Sequence, residues 1–451
     1  MSMTTPIVDF VRSYAKSGTA RLHMPGHKGQ SLLGFEPLDI TEICGADELY
    51  APEGIIAESE ANATRLFGTA HSYYSTEGSS QCIRAMLFLA LQSAPQNGKR
   101  PVLLAARNAH KALLYAAALL DFDIRWLWPS AQAEGALCSC PVTAEALTGA
   151  LHAMAQQGNT PFGVYVTSPD YLGGVQDIPA LAAVCRAQGV PLLVDNAHGA
   201  YLRFLPQNCH PIAQGAAMCC DSAHKTLPVV TGGAYLHLAH DAPVQDEAAV
   251  RGALALFGST SPSYLILQSL DLCADRLDKD YPALICETAR RATALARELG
   301  LAPSEGDPLK LALPAGDFGC TGPELAACLR GWRTEPEYVD ADWVVLMFTP
   351  GLDEGVYDPV RRALPLRRPS ERRPQSMPEP GERVLSPREA LLSRRVSVPV
   401  REAVGRVCAE AAVSCPPAIP MAVCGERISP EAAALMEKLG VCEVSVAEGL
   451  E

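Results

Sequence analysis

Residues 191–200 read PLLVDNAHGA, and the first five of them are typical of a short buried β-strand that ends at Asp195. In a parallel α/β sheet, ligands bind at the carboxyl ends of the strands, so Asp195 is predicted to lie at a ligand-binding edge, largely shielded from water. The alternative is that Asp195 only caps the segment that follows. The surrounding sequence has to decide between these two interpretations.

Outward from this strand, from about residue 66 to residue 237, short apolar runs alternate with longer amphipathic stretches. The other strand-like runs are 101–106, 162–168 and 233–238, and the helix-like segments are 82–92, 112–120 and 178–188. Strands that alternate with helices predict an α/β fold with a mainly parallel sheet and helices on both of its faces.

A lysine follows this strand within thirty residues, in the sequence DSAHKT at 221–226. A lysine among small and apolar residues loses its proton readily and can form a Schiff base, although a loop lysine is commonly only a solvated charge. The tripeptide Ala-His-Lys occurs twice, at 109–111 and 223–225. Lys111 opens an apolar helix-like run and should point along a surface turn, so we assign the Schiff-base role to Lys225.

A third feature, STEGSSQ at 75–81, opens directly onto a predicted helix. Gly78, Ser79 and Ser80 at a helix start offer free N–H groups, hydroxyls and the positive helix end, which suits a phosphate; an ordinary capping turn is the alternative. The chain has no G-x-x-x-x-G-K-[ST] and no G-x-G-x-x-G, which argues against a nucleoside triphosphate or a dinucleotide. A phosphate cradle, an aspartate to protonate a pyridine nitrogen and a lysine to carry an aldehyde carbon predict pyridoxal 5'-phosphate.

Longer motifs extend over nearly the whole chain. They lie at 23–29, 75–81, 107–111, 194–200, 222–227, 259–264, 386–390, 398–405, 416–420 and 425–426. In these motifs the sequence resembles the short form of the ornithine/lysine/arginine decarboxylases, pyridoxal-phosphate enzymes of the aspartate-aminotransferase-like fold (fold type I). Two departures are Asn196 and Tyr201, where the family commonly has Glu and His, and a third is Ala418, where it has Gly.

The resemblance implies a role for each matching residue. Lys225 would hold the cofactor covalently, Asp195 would pair with the pyridinium and His110 would stack on the ring. The further cofactor-binding residues that it implies are Gly78, Ser79, Ser80, Gln81, His198, Ser222 and His224. Ser259 and Thr260 would reach the neighbouring subunit's cofactor, which implies a homodimer with shared active sites.

The implied reaction is decarboxylation of arginine, lysine or ornithine to the corresponding di- or polyamine, with arginine favoured by the likeness to short bacterial forms. His224 or Lys225 is expected to return a proton to Cα. Another reaction on the same cofactor, such as transamination or elimination, and an inactive regulatory relative remain as alternatives. Asp47, Glu48, Glu77 and Glu426 are candidates to bind the distal cation of the substrate, and a solvated or paired carboxylate is the alternative for each.

Charge and cysteine usage exclude other classes of protein. Of 451 residues, 50 are acidic and 37 basic, a net charge of −13 that argues against binding to nucleic acid. His23 and His27 have the spacing of helical metal ligands, but Pro25-Gly26 between them prevents a regular helix, so no metal is expected. The sixteen cysteines have no C-x-x-C pair, and we find neither an export signal nor a membrane span. Reduced, mostly buried thiols in a cytoplasmic protein are therefore expected.

Three domains are predicted. They are an N-terminal segment at 1–60, a large cofactor-binding domain at 61–285, and a smaller α+β C-terminal domain at 286–451. Within the last domain, a helix follows residue 287, a Pro/Arg-rich linker lies near 358–380, helices are expected at 386–390 and 400–412, and 416–420 forms a turn.

Overall fold

A computed structural model of the chain describes residues 3–95, 98–129, 137–304, 306–364, 378–413 and 419–449. The helices are α1 Pro6–Lys16, α2 Ile55–Phe67, α3 Ser79–Gln92, α4 Lys111–Leu120, α5 Ala144–Gln156, α6 Ile178–Ala187, α7 Ala223–Thr226, α8 Glu247–Leu256, α9 Tyr264–Asp278, α10 Tyr281–Glu298, α11 Gly322–Gly331, α12 Tyr357–Ala363, α13 Pro387–Leu392 and α14 Pro430–Lys438. The strands are β1 His71–Ser75, β2 Val102–Ala106, β3 Asp123–Leu127, β4 Val164–Thr167, β5 Leu192–Asp195, β6 Met218–Asp221, β7 Ala234–Leu238, β8 Lys310–Pro314, β9 Tyr338–Val339, β10 Trp343–Met347, β11 Arg395–Pro399, β12 Ala412–Val413, β13 Ala422–Val423 and β14 Glu443–Ala447.

The chain forms two compact units. The first contains Met1–Ala94 and Pro191–Cys286, and the second contains Pro95–Val190 and Glu287–Glu451. The domain boundaries at 60 and 285 were drawn from sequence alone, and they stay a prediction.

In the first unit, four strands lie in the order β1-β7-β6-β5. The pair β5/β6 is parallel, while β7 runs antiparallel to both β6 and β1. Helix α3 packs on β6 and β7. Apolar residues occupy nearly every face of α3, including Ile83, Met86 and Leu89, so the helix is buried along most of its length and its first turn is fixed against the sheet.

In the second unit, β4, β2 and β3 are neighbours in that order, and both pairs are parallel. The segment beyond α10 adds small antiparallel sheets, β8-β10-β9, β11-β14 and β12-β13. A core that includes Leu313, Leu325, Val344 and Tyr357 joins β8, β10, α11 and α12. The predicted α/β fold with a mainly parallel sheet and a smaller α+β C-terminal part is confirmed.

The apolar runs at 101–106, 162–168, 191–197 and 233–238 are the strands β2, β4, β5 and β7, and the predicted helices at 82–92, 112–120 and 178–188 are α3, α4 and α6. The strands β1, β3 and β6 were not predicted. Their sequences, HSYYS, DIRWL and MCCD, include polar or charged residues that interrupt an apolar run. They are nevertheless largely buried, because pairing with neighbouring strands overrides local composition.

The C-terminal expectations are met only in part. A helix near 387 is confirmed as α13, which a capping box of Ser386 and Glu389 begins. The helix predicted at 400–412 is wrong: the structure has a single 3-10 turn, Val400–Glu402. Gly405 has a φ of 80°, and its N–H donates to Ile428 O, so this segment pairs with a distant strand-like segment instead.

The linker predicted at 358–380 and the turn predicted at 416–420 lie partly outside the described residues. Helix α12 occupies the start of the predicted linker at 358–380, because Tyr357 and Val360 are buried in the core. Residues 365–377 of that linker, and 416–418 of the predicted turn with its Ala418, lie outside the described residues.

All fifteen cysteines in the described ranges are free thiols, and nine of them are buried. The expectation of reduced, mostly buried cysteines therefore agrees with the structure over these ranges. Across the same ranges, no helix has both the length and the apolar character needed to cross a bilayer.

Candidate active site

Asp195 is the last residue of β5 and is 2% exposed. Its Oδ1 accepts hydrogen bonds from the N–H of Ala197 at 3.2 Å and from Cys220 Sγ at 3.7 Å. A carboxylate in this position is oriented by the backbone that follows it and by the neighbouring strand. As predicted, Asp195 lies at the carboxyl edge of a parallel strand pair.

Lys225 lies on α7, one turn of helix directly after β6. Its side chain is partly buried, and its Nζ is 3.2 Å from Nε2 of the buried His198. Because β5 and β6 are parallel neighbours, the segments that carry His198 and Lys225 leave the sheet at the same edge. The imidazole can accept a proton from the ammonium group and leave a neutral, nucleophilic amine.

The predicted phosphate cradle is the N-terminus of α3. Gly78 precedes it with a φ of 73°, which favours glycine, and the amides of Ser79 and Ser80 lie in the first turn, where no intrahelical acceptor exists. Ser222 Oγ donates to Ser79 Oγ at 2.7 Å, so the hydroxyl of the lysine loop reaches the cradle within the same unit.

Two hydroxyls of this first unit support a phosphate ligand. Oγ1 of Thr76, next to the cradle in sequence, and Oγ1 of Thr226, next to Lys225, are buried and have no hydrogen-bond partner within the described ranges. Buried hydroxyls without a partner are uncommon unless a ligand or water bonds to them. The donor set of N–H groups and hydroxyls therefore fits the phosphate of pyridoxal phosphate.

Gln81 follows Ser80 in the first turn of α3 and is buried. Its Nε2 donates to Tyr50 OH at 2.9 Å and to Leu254 O at 2.7 Å, and its Oε1 accepts from Ser75 Oγ. These contacts use the side-chain amide to hold the cradle in place. A direct contact of Gln81 with the cofactor stays a prediction.

His224 is partly buried, and its Nδ1 lies 2.9 Å from the carbonyl oxygen of Gly233. A carbonyl only accepts, so Nδ1 carries the proton. Burial, together with the charge of Lys225, lowers the pKa of His224. The neutral ring then presents a lone pair at Nε2, and it can donate a proton or bind a phosphate oxygen from this atom only after it has been protonated.

His110 belongs to the second unit, where it is the N-cap of α4 and its Nδ1 accepts from the N–H of Ala112 at 3.2 Å. Lys111 is the exposed first residue of that helix. The proposed stacking of His110 on the cofactor ring stays a prediction.

The segment that contains Ser259 and Thr260 follows α8, and both residues are exposed in the single chain. Gly258 fixes the start of this segment against the cradle: a Cβ at this position would lie 2.0 Å from Tyr50 OH and 2.1 Å from Gln81 Nε2. Only glycine allows the chain to pass so close to these side chains. The exposed residues Ser259 and Thr260 come directly after this close approach.

The four candidate carboxylates differ in their surroundings. Asp47 accepts hydrogen bonds from the N–H groups of Gly54 and Ile56 at 2.8 and 2.9 Å. Its carboxylate therefore stabilises the N-terminus of helix α2. In the second unit, Glu426 is paired with buried Arg107 through two contacts of 2.7 Å. Glu48 and Glu77 are exposed, which leaves these two carboxylates accessible to a substrate cation.

Two features were not predicted from the sequence: the partnership of Glu426 with Arg107, 319 positions away, and a buried polar network around Asp221. Neither has a local signal in the sequence. His23 and His27, the histidines considered for metal binding, contact Tyr14 OH at 2.6 Å and Asp39 Oδ2 at 3.2 Å.

Comparison with known families supports the assignment that these residues suggest. The family described as "Orn/Lys/Arg decarboxylase, major domain" matches residues 5–299, and its "C-terminal domain" matches residues 375–447. The chain belongs to the Orn/Lys/Arg decarboxylase family. Members of this family are pyridoxal-phosphate-dependent lyases, so the chain is a decarboxylase that uses this cofactor.

Curated relatives agree with this family. An "Arginine decarboxylase" of Bacillus subtilis is 28% identical over 95% of this chain and 92% of its own length. An "Arginine decarboxylase" of Halalkalibacterium halodurans is also 28% identical, over 94% of this chain and 91% of its own length. The "Constitutive lysine decarboxylase" of Escherichia coli is 25% identical over 65% of this chain and 41% of its own length.

Solved structures confirm fold type I. The E. coli constitutive lysine decarboxylase superposes with a TM-score of 0.78 at 19% identity, over 99% of this chain and 82% of that chain. The Francisella novicida lysine decarboxylase superposes with a TM-score of 0.80 at 18% identity, over 99% of this chain and 81% of that chain.

Proposed function

We propose that this decarboxylase acts on arginine and releases CO2 and the corresponding amine, with lysine and ornithine as the alternative substrates. The observation that carries the reaction type is that Asp195, Lys225 and the Ser79–Ser80 cradle belong to one compact unit around β5 and β6. The preference for arginine is supported by relatives of that name, which align over more than nine-tenths of this chain.

Pyridoxal phosphate, when bound, supplies an electron sink for the carbanion that remains when CO2 departs. Lys225 would hold the cofactor covalently, and Ser79, Ser80 and Ser222 would bind its phosphate. The negative charge of Asp195 favours a proton at the pyridine nitrogen. Because Asp195 is buried, water does not screen this charge, which strengthens its effect.

Two groups can return a proton to Cα of the product. Since burial lowers the pKa of His224, its ring is mostly neutral at neutral pH and delivers a proton from Nε2 only on the acidic side. The amine of Lys225 has a proton acceptor and donor, His198, at 3.2 Å. Near neutral pH, Lys225 is therefore the better donor of the two.

We also propose that the enzyme is a cytoplasmic homodimer whose subunits share active sites. The exposure of Ser259 and Thr260, next to a glycine that fixes their segment, supports this arrangement. Two exposed hydroxyls of one subunit are available to the cofactor site of another.

The test is a parallel assay of arginine, lysine and ornithine with the purified holoenzyme, in which CO2 and the amine product are both measured. We expect the highest kcat/KM with arginine and equal amounts of CO2 and amine. A higher kcat/KM with lysine or ornithine would contradict the proposed substrate. Formation of a keto acid instead of CO2, or a colourless protein without activity, would contradict the proposed reaction.

A further inference from the structure

A second buried carboxylate, Asp221, ends β6, the strand next to Asp195. Its Oδ1 accepts a hydrogen bond from Asn196 Nδ2 at 2.6 Å. Its Oδ2 accepts from His210 Nε2 at 3.1 Å and from His237 Nε2 at 3.2 Å. All four residues are fully buried, at 0% exposure, so this network lies entirely inside the first unit.

The hydrogen bonds assign the protons in this network. An ionised carboxylate only accepts, so both histidines carry their proton at Nε2. Nδ1 of His237 then accepts from Ser72 Oγ at 2.8 Å. Burial alone would raise the pKa of Asp221, but His210 and His237 hold it well below its usual range, while burial lowers the pKa of His237. Asp221 is therefore a buried anion that hydrogen-bond donors surround.

Asn196 connects this anion to the active-site aspartate. Its backbone N–H donates to Cys220 O at 3.0 Å, and its side chain donates to Asp221, so it is bonded to β6 at two points. Asp195 is the residue directly before it and accepts from Cys220 Sγ. The position of the Asp195 carboxylate is thus set by how Asn196 is held.

We propose that Asn196 and Asp221 are positioning residues for Asp195 and that their amide–carboxylate pair keeps a second negative charge near the ring nitrogen. This inference rests on the proposed role of Asp195. The pair also gives a physical reason for an amide at position 196. A carboxylate at 196 would face Asp221 across a gap that now measures 2.6 Å, and two buried anions repel each other strongly at that distance.

A metal ion is the competing occupant of this site. His210, Cys219 and Asp221 offer donor atoms within 4.8 Å of one another. A metal would need the Nε2 lone pair of His210 and would move its proton to Nδ1. Nδ1 of His210 has no partner in the described ranges, so that proton would be a buried donor without an acceptor. The two occupants differ in metal content, so the zinc content of the purified protein distinguishes them.

The test compares Asn196→Asp, Asp221→Asn and the double variant that carries both changes, with Asp246→Asn as the control. Asp246 is a helix-capping acid on the surface of the same unit. We expect each single variant to lower kcat by about tenfold or more while KM stays within about threefold, and the double variant, which exchanges amide and carboxylate, to recover a substantial part of kcat. The control should resemble the wild type.

A second readout does not depend on turnover. The pH titration of the absorption band of the bound cofactor should shift in both single variants, because the charge near the ring changes. We expect Asp221→Asn to move its midpoint to lower pH, since a protonated pyridine loses a nearby anion. If the wild type decarboxylates none of the three amino acids, the proposed function fails, but this titration still tests the pair.

Three results would overturn the inference: single variants with normal kcat and a normal titration, variants that lose only thermal stability, or one equivalent of zinc in the purified protein that disappears in Cys219→Ser. If Asp221→Asn does not fold, Asn196→Ala carries the same expectation for kcat, because it removes the amide donor without adding a charge.

Discussion

The tripeptide Ala-His-Lys occurs twice in this chain, with opposite consequences. At 109–111 it begins helix α4: the ring of His110 accepts a backbone N–H, and Lys111 is exposed. At 223–225 it forms the single turn α7 after β6, where the ring of His224 donates to Gly233 O. Lys225 is partly buried there, next to His198.

The difference shows that the surroundings of the tripeptide decide its chemistry. The first copy continues into ten residues of helix, so its lysine extends into solvent. The second copy is followed by Thr226 and Leu227, which are buried, and the chain turns back to form β7. A partly desolvated lysine beside an imidazole loses its proton more readily than a lysine at the start of an exposed helix turn.

The largest expected effect separates the two lysines. Lys225→Ala should lower kcat/KM by more than about a thousandfold, because it removes the covalent attachment of the cofactor. Lys111→Ala, the matched control, should leave kcat/KM within about twofold of the wild type, since exposed substitutions rarely have large effects. Steady-state CO2 release measures both, and a reversed pattern would refute the assignment.

The next largest effect tests the role of Asp195 beside the second copy of the tripeptide. Asp195→Asn keeps the shape of the side chain but removes the charge that favours the ring proton. It should lower kcat by several orders of magnitude and change substrate binding much less. The matched control is Asp177→Asn, which alters only the cap of α6 and should have little effect. Near-normal turnover by Asp195→Asn would disprove its role.

A smaller effect tests whether the active site that contains Lys225 also needs Ser259 and Thr260 of a neighbouring subunit. Lys225→Ala and the triple variant Ser259→Ala/Thr260→Ala/Ser261→Ala should each be inactive alone. Mixed in equal amounts with subunit exchange, half of the dimers are hybrids with one intact site in two, so activity should return to about a quarter of the wild type. No recovery despite demonstrated exchange, or a fully active monomer, would exclude shared sites.

The smallest effect concerns His224, the histidine of the second copy, and the pH dependence of the free energy of unfolding. Burial lowers the pKa of His224 in the folded state, so the unfolded chain binds more protons as the pH falls through its ordinary value near 6.5. The free energy of unfolding should therefore decrease on acidification from neutral pH. Urea unfolding at pH 7.5 and 5.5 should show a smaller decrease in His224→Gln than in the wild type or in the exposed-site control His152→Gln.

Most of the residues of the candidate active site around Lys225 could be predicted from the sequence. The run before Asp195 is apolar and short, the glycine and serines at 78–80 precede an apolar helix, and Lys225 follows in the order that the cofactor requires. Each of these signals is local. The fold class followed from the same local alternation of strands and helices.

The remaining features depend on contacts between distant residues. Asn196 and Asp221 meet because β5 and β6 pair in a particular register, and Arg107 meets Glu426 across 319 positions. The strands β1 and β6 contain polar residues whose burial depends on their neighbours in the sheet. The failed helix at 400–412 has helix-compatible composition, but its backbone bonds to the 426–428 segment instead.

The lysine that binds the cofactor can be identified by reducing the wild-type holoenzyme with borohydride, digesting it and analysing the labelled peptide by mass spectrometry. Borohydride fixes the cofactor to the lysine that holds it. We expect the label on Lys225, in the peptide that contains DSAHKT. A label on Lys111, in the other copy of the same tripeptide, would contradict it.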